Sequence, residues 1–281
     1  MRLNKVSGPV LKYYEDLLRL EILKEEDSVL IDPLNSDWSE NISDVIVLQQ
    51  GQCNWDKVHL NKVKLIITSS IYLYEIFNPL KKTYLIPFSI NPIFKKITPW
   101  KERENALYYH GRIIPGKLGI MSLIKLSNSG IKIVLRGPTC KDYWTDKDLE
   151  LIEFVTYKDK ISKLNIEFLP STNDKNILAE DLNKYKYYFT LSNGEAFNLA
   201  LQEAIACGTI PIVRPNDAYW WADHLLLCFK TAEELIEKFN SLKNEDMEEY
   251  SNLISREIHK RYSEESIIKS YNDQKKDLFP E

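Results

Sequence analysis

The segment 186-KYYFTLSNGEAFNLALQEAIACGTIPIV-213 runs from an apolar stretch through a short polar loop and an Ala/Leu/Ile-rich helix to a second apolar stretch. This order is typical of a strand-helix-strand unit, in which the helix connects two parallel strands and packs on their sheet. Two carboxylates interrupt the pattern, because Glu195 precedes the helix and Glu203 lies within it. A buried carboxylate is costly without a partner, so Glu203 requires either solvent or a polar group.

The same alternation extends along the whole chain. Continuous Ile/Val/Leu runs separated by helical patterns indicate parallel sheets that are covered on both faces, so the predicted class is α/β. The predicted strands are 28–32, 44–50, 65–69, 83–88, 106–111, 131–137, 165–170, 186–192 and 210–213, and the closing helices are 231–242, 246–262 and 264–276. Two prolines and a charge run make 89–105 the predicted linker between two such sheets.

Composition limits the classes of function. The 281 residues are 44% hydrophobic, and 37 basic against 41 acidic residues leave a net charge of −4, which makes a nucleic-acid partner an unfavourable prediction. Neither a signal peptide nor a run long enough to span a bilayer is evident, so we expect a soluble, cytoplasmic protein. The cysteines are far apart in sequence and are predicted to be reduced thiols at positions 53, 140, 207 and 228.

A basic turn, 110-HGRIIPGKLG-119, follows the first strand of the second half. Ligands bind at the C-terminal ends of strands in open α/β sheets, and backbone amides with Arg112 and Lys117 could converge there on a diphosphate. The alternative is a solvated basic turn. His110 adjoins the turn and could contact a ligand, or it could be a strand-end histidine that is satisfied within the protein.

These residues together resemble a known family. The second half is similar to the donor-binding domain of GT-B glycosyltransferases of the large retaining group called family 4. The matching features are the G-R-x4-K turn at Gly111, Arg112 and Lys117, an E-x7-E element from Glu195 to Glu203 in a small-residue helix, an exit segment at 83–94 and closing helices at 262–274. The resemblance implies two Rossmann-like domains facing a cleft: a short acceptor-side domain at 1–97, a donor-binding domain at 98–262, and a helix at 263–281 that packs back on the first domain.

The resemblance also implies roles for the matched positions. Glu203 would bind the ribose hydroxyls of a nucleotide, and Glu195 would contact the donor sugar. Arg112 and Lys117 would hold the diphosphate and stabilise its developing charge. The remaining predicted donor-binding residues are His110, Gly111, Gly194, Phe197, Asn198 and Leu199. Spacing alone leaves another interpretation open, in which Glu203 is an exposed helix residue and Glu195 a first-turn acid favoured by the helix dipole.

Two departures from the family pattern matter. Asn198 stands where many relatives have Gly, and the first domain lacks the usual opening strand with its Gly-rich loop. The 146-DKD-148 stretch resembles a metal motif of another glycosyltransferase fold, but it follows a Thr cap, where acids are favoured at helix starts, so no metal is assigned.

The predicted function is therefore a retaining, metal-independent glycosyltransferase that needs no cofactor. It would move a sugar from a UDP- or GDP-sugar to a hydroxyl of a carbohydrate or glycolipid acceptor, with a peripheral membrane contact as a further possibility. The alternatives are a nucleotide-sugar epimerase or hydrolase of the same fold and a non-catalytic nucleotide-sugar-binding protein. A third alternative, glycosylation of modified bases in DNA, is disfavoured by the net negative charge.

Overall fold

The computed structural model describes residues 9–33, 37–38, 41–51, 57–114, 117–138 and 164–277. The described residues divide into two compact units. The first unit draws on 1–90, 196–199 and 260–281, and the second on 91–195 and 200–259. The chain thus leaves the first unit at Ile90, inside the segment predicted as a linker.

The first unit contains a four-stranded parallel sheet of order β1-β2-β3-β4. Its core forms because the strands are almost wholly buried Val, Ile and Leu, with Leu30, Val47 and Ile66 fully buried. The elements are α1 (Pro9–Arg19), β1 (Val29–Ile31), β2 (Val45–Leu48), α2 (Lys57–Leu60), β3 (Val63–Thr68), α3 (Ile71–Phe77) and β4 (Thr83–Leu85). Ser70 begins α3 as its N-cap, where its hydroxyl accepts from the amide of Leu73.

The second unit contains a six-stranded parallel sheet of order β10-β9-β8-β5-β6-β7. Its elements are β5 (Glu104–His110), α4 (Ile120–Asn128), β6 (Ile133–Arg136), β7 (Ile166–Leu169), α5 (Lys175–Lys184), β8 (Tyr185–Thr190), α6 (Leu199–Ala206), β9 (Ile210–Val213), β10 (Leu227–Cys228), α7 (Ala232–Leu242) and α8 (Glu248–Tyr262). The first residue of α6 and the last three residues of α8 are assigned to the first unit. The strand order reverses between β5 and β8. Such a switch point is where ligands bind in open α/β sheets.

The α/β prediction is confirmed, and each predicted strand has a counterpart in the sheets. The short strand β10 was not predicted, because two residues give too weak an apolar pattern. The last helix, α9 (Glu264–Asp277), belongs to the first unit. There Gln274 exchanges two hydrogen bonds with the backbone of Leu85, at 3.0 Å each, and Tyr271 meets Tyr84 edge to face.

A buried arginine fastens the start of β5. The Arg103 side chain donates to the Thr98, Leu182 and Cys207 carbonyls and to the side chains of Asn183 and Thr209. Burial lowers the pKa of Arg103 to about 10, so the guanidinium keeps its charge at neutral pH. This set of hydrogen bonds holds the strand that carries the basic turn.

Within the described ranges, no helix is both long and apolar enough to cross a membrane.

Candidate functional site

The basic turn and the Glu195 loop leave the sheet at neighbouring strand ends. Strand β5 pairs with β8 through Leu107 with Tyr187 and Tyr108 with Tyr188. The turn that begins at Gly111 follows β5, and the loop that carries Glu195 follows β8. The structure therefore brings together, within the second unit, two segments that the sequence separates widely.

Glycines allow the backbone that follows β5 to lie close to the backbone that follows β6. Gly111 has φ +139° and Gly137 has φ +151°, in a region that side chains disfavour. A Cβ built on Gly137 would lie only 1.8 Å from the carbonyl oxygen of Gly111. Gly111 also donates its amide to the Arg136 carbonyl at 3.0 Å, and Tyr109 donates its hydroxyl to the Arg112 carbonyl at 2.9 Å. The backbone of the predicted phosphate turn is thus fixed on both sides.

Lys117 and Glu195 form an ion pair. The Lys117 ammonium donates to both oxygens of the Glu195 carboxylate, at 2.8 and 2.9 Å. Both side chains are largely buried, with 22% and 12% of their surface exposed, so this pair is better shielded from water than a surface salt bridge. Arg112, by contrast, is exposed. The sequence predicted these residues for one site, and the contact brings two of them within hydrogen-bonding distance.

His110 is the polar partner that Glu203 requires. The imidazole Nε2 lies 3.1 Å from a Glu203 carboxylate oxygen, and the two side chains are only 7% and 11% exposed. The interpretation of Glu203 as an exposed helix residue is therefore wrong. The His110 Nδ1 atom is buried and makes no hydrogen bond with any described residue.

The loop between Glu195 and the helix has an irregular backbone. Ser192 donates its hydroxyl to the Gly194 carbonyl at 3.0 Å, and a Cβ on Gly194 would meet open space. The sequence predicted a helix from Phe197, but α6 begins at Leu199, because Asn198 adopts a left-handed conformation with φ +65°. Asn tolerates this conformation better than most other non-glycine residues, which gives a physical reason for an Asn at position 198.

Phe197, Asn198 and Leu199 belong to the first unit. The Phe197 ring is buried there and lies 5.0 Å from the Phe88 ring, which in turn lies 4.6 Å from Tyr13. The other predicted site residues belong to the second unit: His110, Gly111, Arg112, Lys117, Gly194, Glu195 and Glu203. Among these, the structure shows two direct side-chain contacts, Lys117 with Glu195 and His110 with Glu203.

Sequence reasoning missed two buried tyrosines that interact electrostatically with Glu195. Burial raises the pKa of Tyr109 and of Tyr188 well above the usual range, and the negative charge of Glu195 contributes to both shifts. Both residues are therefore neutral phenols at physiological pH. Their rings provide a low-dielectric environment that strengthens nearby electrostatic interactions. The continuous apolar runs of β5 and β8 indicated that both tyrosines are buried, but not that they interact electrostatically with Glu195.

Sequence reasoning also missed Arg214, the residue that follows β9. Its guanidinium donates to the Asn193 side-chain oxygen at 2.6 Å, two residues before Glu195. A basic residue directly after a buried strand was the available signal.

No group of three or more His, Cys, Asp and Glu side chains that could hold a metal occurs in the described part of the chain. The 146–148 stretch, Cys53 and Cys140 lie outside the described residues. Cys207 is buried and Cys228 exposed, and both are free thiols.

Neither a protein-family model nor a curated protein sequence matches the chain significantly. Solved structures do resemble it. Sucrose-phosphate synthase from Thermosynechococcus elongatus has a TM-score of 0.64 and 16% identity over 96% of this chain and 78% of its own. Anabaena HepE, in complex with UDP and glucose, has a TM-score of 0.66 and 13% identity over 96% and 83% of the two chains.

The pneumococcal O-GlcNAc transferase GtfA, in complex with UDP and GlcNAc, has a TM-score of 0.61 and 15% identity over 96% of this chain. This chain spans 60% of the length of GtfA. These structures share the GT-B glycosyltransferase fold, with two parallel sheets and interleaved helices. The chain therefore has the GT-B fold, as predicted.

Proposed function

We propose that this protein is a retaining glycosyltransferase that moves a sugar from a nucleotide-diphosphate sugar to a hydroxyl acceptor without a metal ion. The observation that carries the proposal is the contact between Lys117, on the basic turn, and Glu195, the first acid of the E-x7-E element. Both residues lie near the switch point of one parallel sheet. The ammonium is suited to bind a diphosphate, and the carboxylate is suited to bind the hydroxyls of a sugar. Two of the structural neighbours, HepE and GtfA, are complexes with UDP and a sugar.

Arg112 and Lys117 are proposed to bind the diphosphate. A forked guanidinium and an ammonium supply charge-assisted hydrogen bonds, and negative charge accumulates on the diphosphate as the glycosidic bond breaks. Stabilising that charge lowers the barrier more than it stabilises the bound substrate, because the charge is largest in the transition state. This electrostatic role would replace that of a metal.

Glu203 is proposed to accept hydrogen bonds from the ribose hydroxyls, and Glu195 from the hydroxyls of the donor sugar. The His110 imidazole would hold the Glu203 carboxylate in place, since it already lies 3.1 Å from one of its oxygens. The acceptor would be a carbohydrate or glycolipid hydroxyl. The leaving diphosphate is proposed to take the proton of that hydroxyl, so no side chain is assigned as the general base.

The test is a transfer assay with UDP- and GDP-sugars, a panel of carbohydrate and glycolipid acceptors, and excess EDTA. We expect an acceptor-dependent glycoside whose anomeric configuration, measured by NMR, equals that of the donor, at a rate that EDTA leaves unchanged. Glu203→Ala should abolish turnover or raise the donor KM, whereas the exposed control Glu237→Ala should leave both unchanged. Turnover without any acceptor would instead support an epimerase or hydrolase, and binding without turnover would support a non-catalytic protein.

A further inference from the structure

Arg214 is a cation at the ligand-binding edge of the second sheet that the proposed function does not use. It directly follows β9, and its amide donates to the Thr190 carbonyl at 3.1 Å, at the end of β8. The side chain reaches the Asn193 amide oxygen at 2.6 Å. Asn193 lies in the loop that carries Glu195, so the guanidinium lies beside the segment proposed to contact the donor sugar.

The hydrogen bonds of Arg214 are incomplete. Its Nε atom is buried, and no described residue accepts a hydrogen bond from it. No described Asp or Glu forms an ion pair with this side chain, and Asp217, three residues further along, is exposed. Among the described residues, its one side-chain partner is Asn193, which is neutral. A buried N–H group without an acceptor is costly, and a guanidinium can make five such bonds.

The contrast with two other cations of the second unit is informative. The Lys117 charge is compensated by Glu195, and Arg136 is paired with Asp181. Arg214 alone among these three has a neutral side-chain partner, although it is partly buried at the edge where ligands bind. A planar guanidinium without a carboxylate partner is suited to bind a ligand group that has two anionic oxygens.

We propose that Arg214, held in place by Asn193, binds an anionic group of the donor, either a carboxylate of the transferred sugar or a phosphate of the diphosphate. This inference rests on the proposed function. Arg214 would then determine which donor the same site accepts. The ligand would supply the negative charge that no described residue provides to Arg214.

The decisive variant is Asn193→Asp. Asp has the shape of Asn and keeps an oxygen that accepts from Arg214, but it adds the carboxylate that Arg214 lacks. If Arg214 serves only to fasten the loop, the new ion pair leaves stability and ligand binding unchanged or improved. If Arg214 binds an anion, the carboxylate competes with the ligand and weakens its binding.

The experiment is titration calorimetry of the full chain with UDP, UDP-glucose and UDP-glucuronate, and with the corresponding GDP, GDP-mannose and GDP-mannuronate. The variants are Arg214→Gln, Asn193→Asp and the control Arg256→Gln, an exposed residue of α8. Thermal unfolding of each variant establishes that it is folded. We expect Arg214→Gln and Asn193→Asp to weaken binding of the recognised ligand by about tenfold or more, as for a lost charge-assisted hydrogen bond.

The ligands distinguish the two sources of the anion. If the variants lose the same affinity for the nucleoside diphosphate and for its sugar nucleotides, Arg214 contacts the diphosphate. If they lose affinity only for the uronate, Arg214 contacts the carboxylate of the sugar. If both variants bind every nucleoside diphosphate and every sugar nucleotide, the uronates included, as tightly as the wild-type chain does, the subsite is overturned and the proposed function stands. Absence of nucleotide binding by the wild-type chain overturns the proposed function and the subsite with it.

Discussion

The Lys117 ammonium contacts both carboxylate oxygens of Glu195, although the two residues lie 78 positions apart in the chain. The pair neutralises a cation that the proposed mechanism assigns to a diphosphate. A diphosphate that binds Lys117 must therefore displace the Glu195 carboxylate or repel it. Hydroxyls of a donor sugar could then donate hydrogen bonds to the Glu195 carboxylate. Binding of the sugar would in this way be coupled to binding of the diphosphate.

Glu195→Gln should bind a plain nucleoside diphosphate more tightly than the wild-type protein does. The amide removes the negative charge that competes with the ligand for Lys117, while the side chain keeps its size. We expect affinity to rise about fivefold or more, the order of a partly buried ion pair, and turnover with a sugar donor to fall. Calorimetry and initial rates measure the two effects.

The control for that substitution is Glu237→Gln, which removes one negative charge from an exposed position on α7. It should change neither quantity, since exposed charges that lie far apart are screened by salt. If Glu195→Gln bound the diphosphate no better than this control, the ion pair would not compete with the ligand.

Gly137→Ala should destabilise the protein far more than Gly130→Ala. Both glycines have positive φ, at +151° and +81°, so each alanine carries backbone strain. Only at Gly137 would the new Cβ collide with backbone, the Gly111 carbonyl, whereas nothing lies within 4 Å at Gly130. Urea unfolding should show a loss of about 1 kcal/mol for Gly130→Ala and several times that, or failure to fold, for Gly137→Ala. Equal losses would show that the turn can move away from β6.

Removing the hydroxyls of two adjacent buried tyrosines should have different effects on stability. Tyr187 donates its hydroxyl to the Leu242 carbonyl at 2.9 Å, whereas the buried Tyr188 hydroxyl has no described hydrogen-bond partner. Tyr187→Phe should therefore cost about 1 kcal/mol of unfolding free energy, and Tyr188→Phe should be neutral or stabilising. Denaturant unfolding of the two variants tests the difference, and a comparable loss in both would contradict it.

The protein should lose stability at alkaline pH. Burial raises the pKa of Cys207 from 9.0 to about 12 and that of Tyr262 from 10.0 to about 12. Above about pH 9 the unfolded chain therefore binds fewer protons than the folded protein, so the free energy of unfolding falls as the pH rises. Urea unfolding from about pH 8 to about pH 11 should show this decline. In Cys207→Ala the free energy of unfolding should fall less steeply at the lower end of this pH range. A free energy of unfolding that does not change with pH would contradict the raised pKa values.

The strands were predictable from sequence because each buried parallel strand is a continuous apolar run, as 210–213 shows. The start of α6 was not predictable to the residue. It depends on the left-handed backbone of Asn198, and propensity does not reveal which Asn adopts that conformation. A strand as short as β10 carries too little pattern to be recognised.

The components of the candidate site were predictable from sequence, but their pairing was not. Spacing singled out Glu203 and the turn singled out Lys117, yet His110 and Glu203 are 93 residues apart. Their contact depends on β5 lying next to β8, a tertiary arrangement that local patterns leave open. Arg214 was overlooked for the same reason, because its significance comes from Asn193 on the neighbouring loop.

The central claim, a nucleotide-sugar site at this sheet edge, is tested most directly by thermal unfolding with UDP, GDP, ADP, CDP and TDP. A ligand at about 100 times its Kd should stabilise the fold by about 2.7 kcal/mol and raise Tm by a few degrees. We predict a shift that is selective for one nucleotide, is lost in Glu203→Ala and Arg112→Ala, and persists in the Glu237→Ala control. No shift with any nucleotide, or a shift that both site variants retain, would contradict the account.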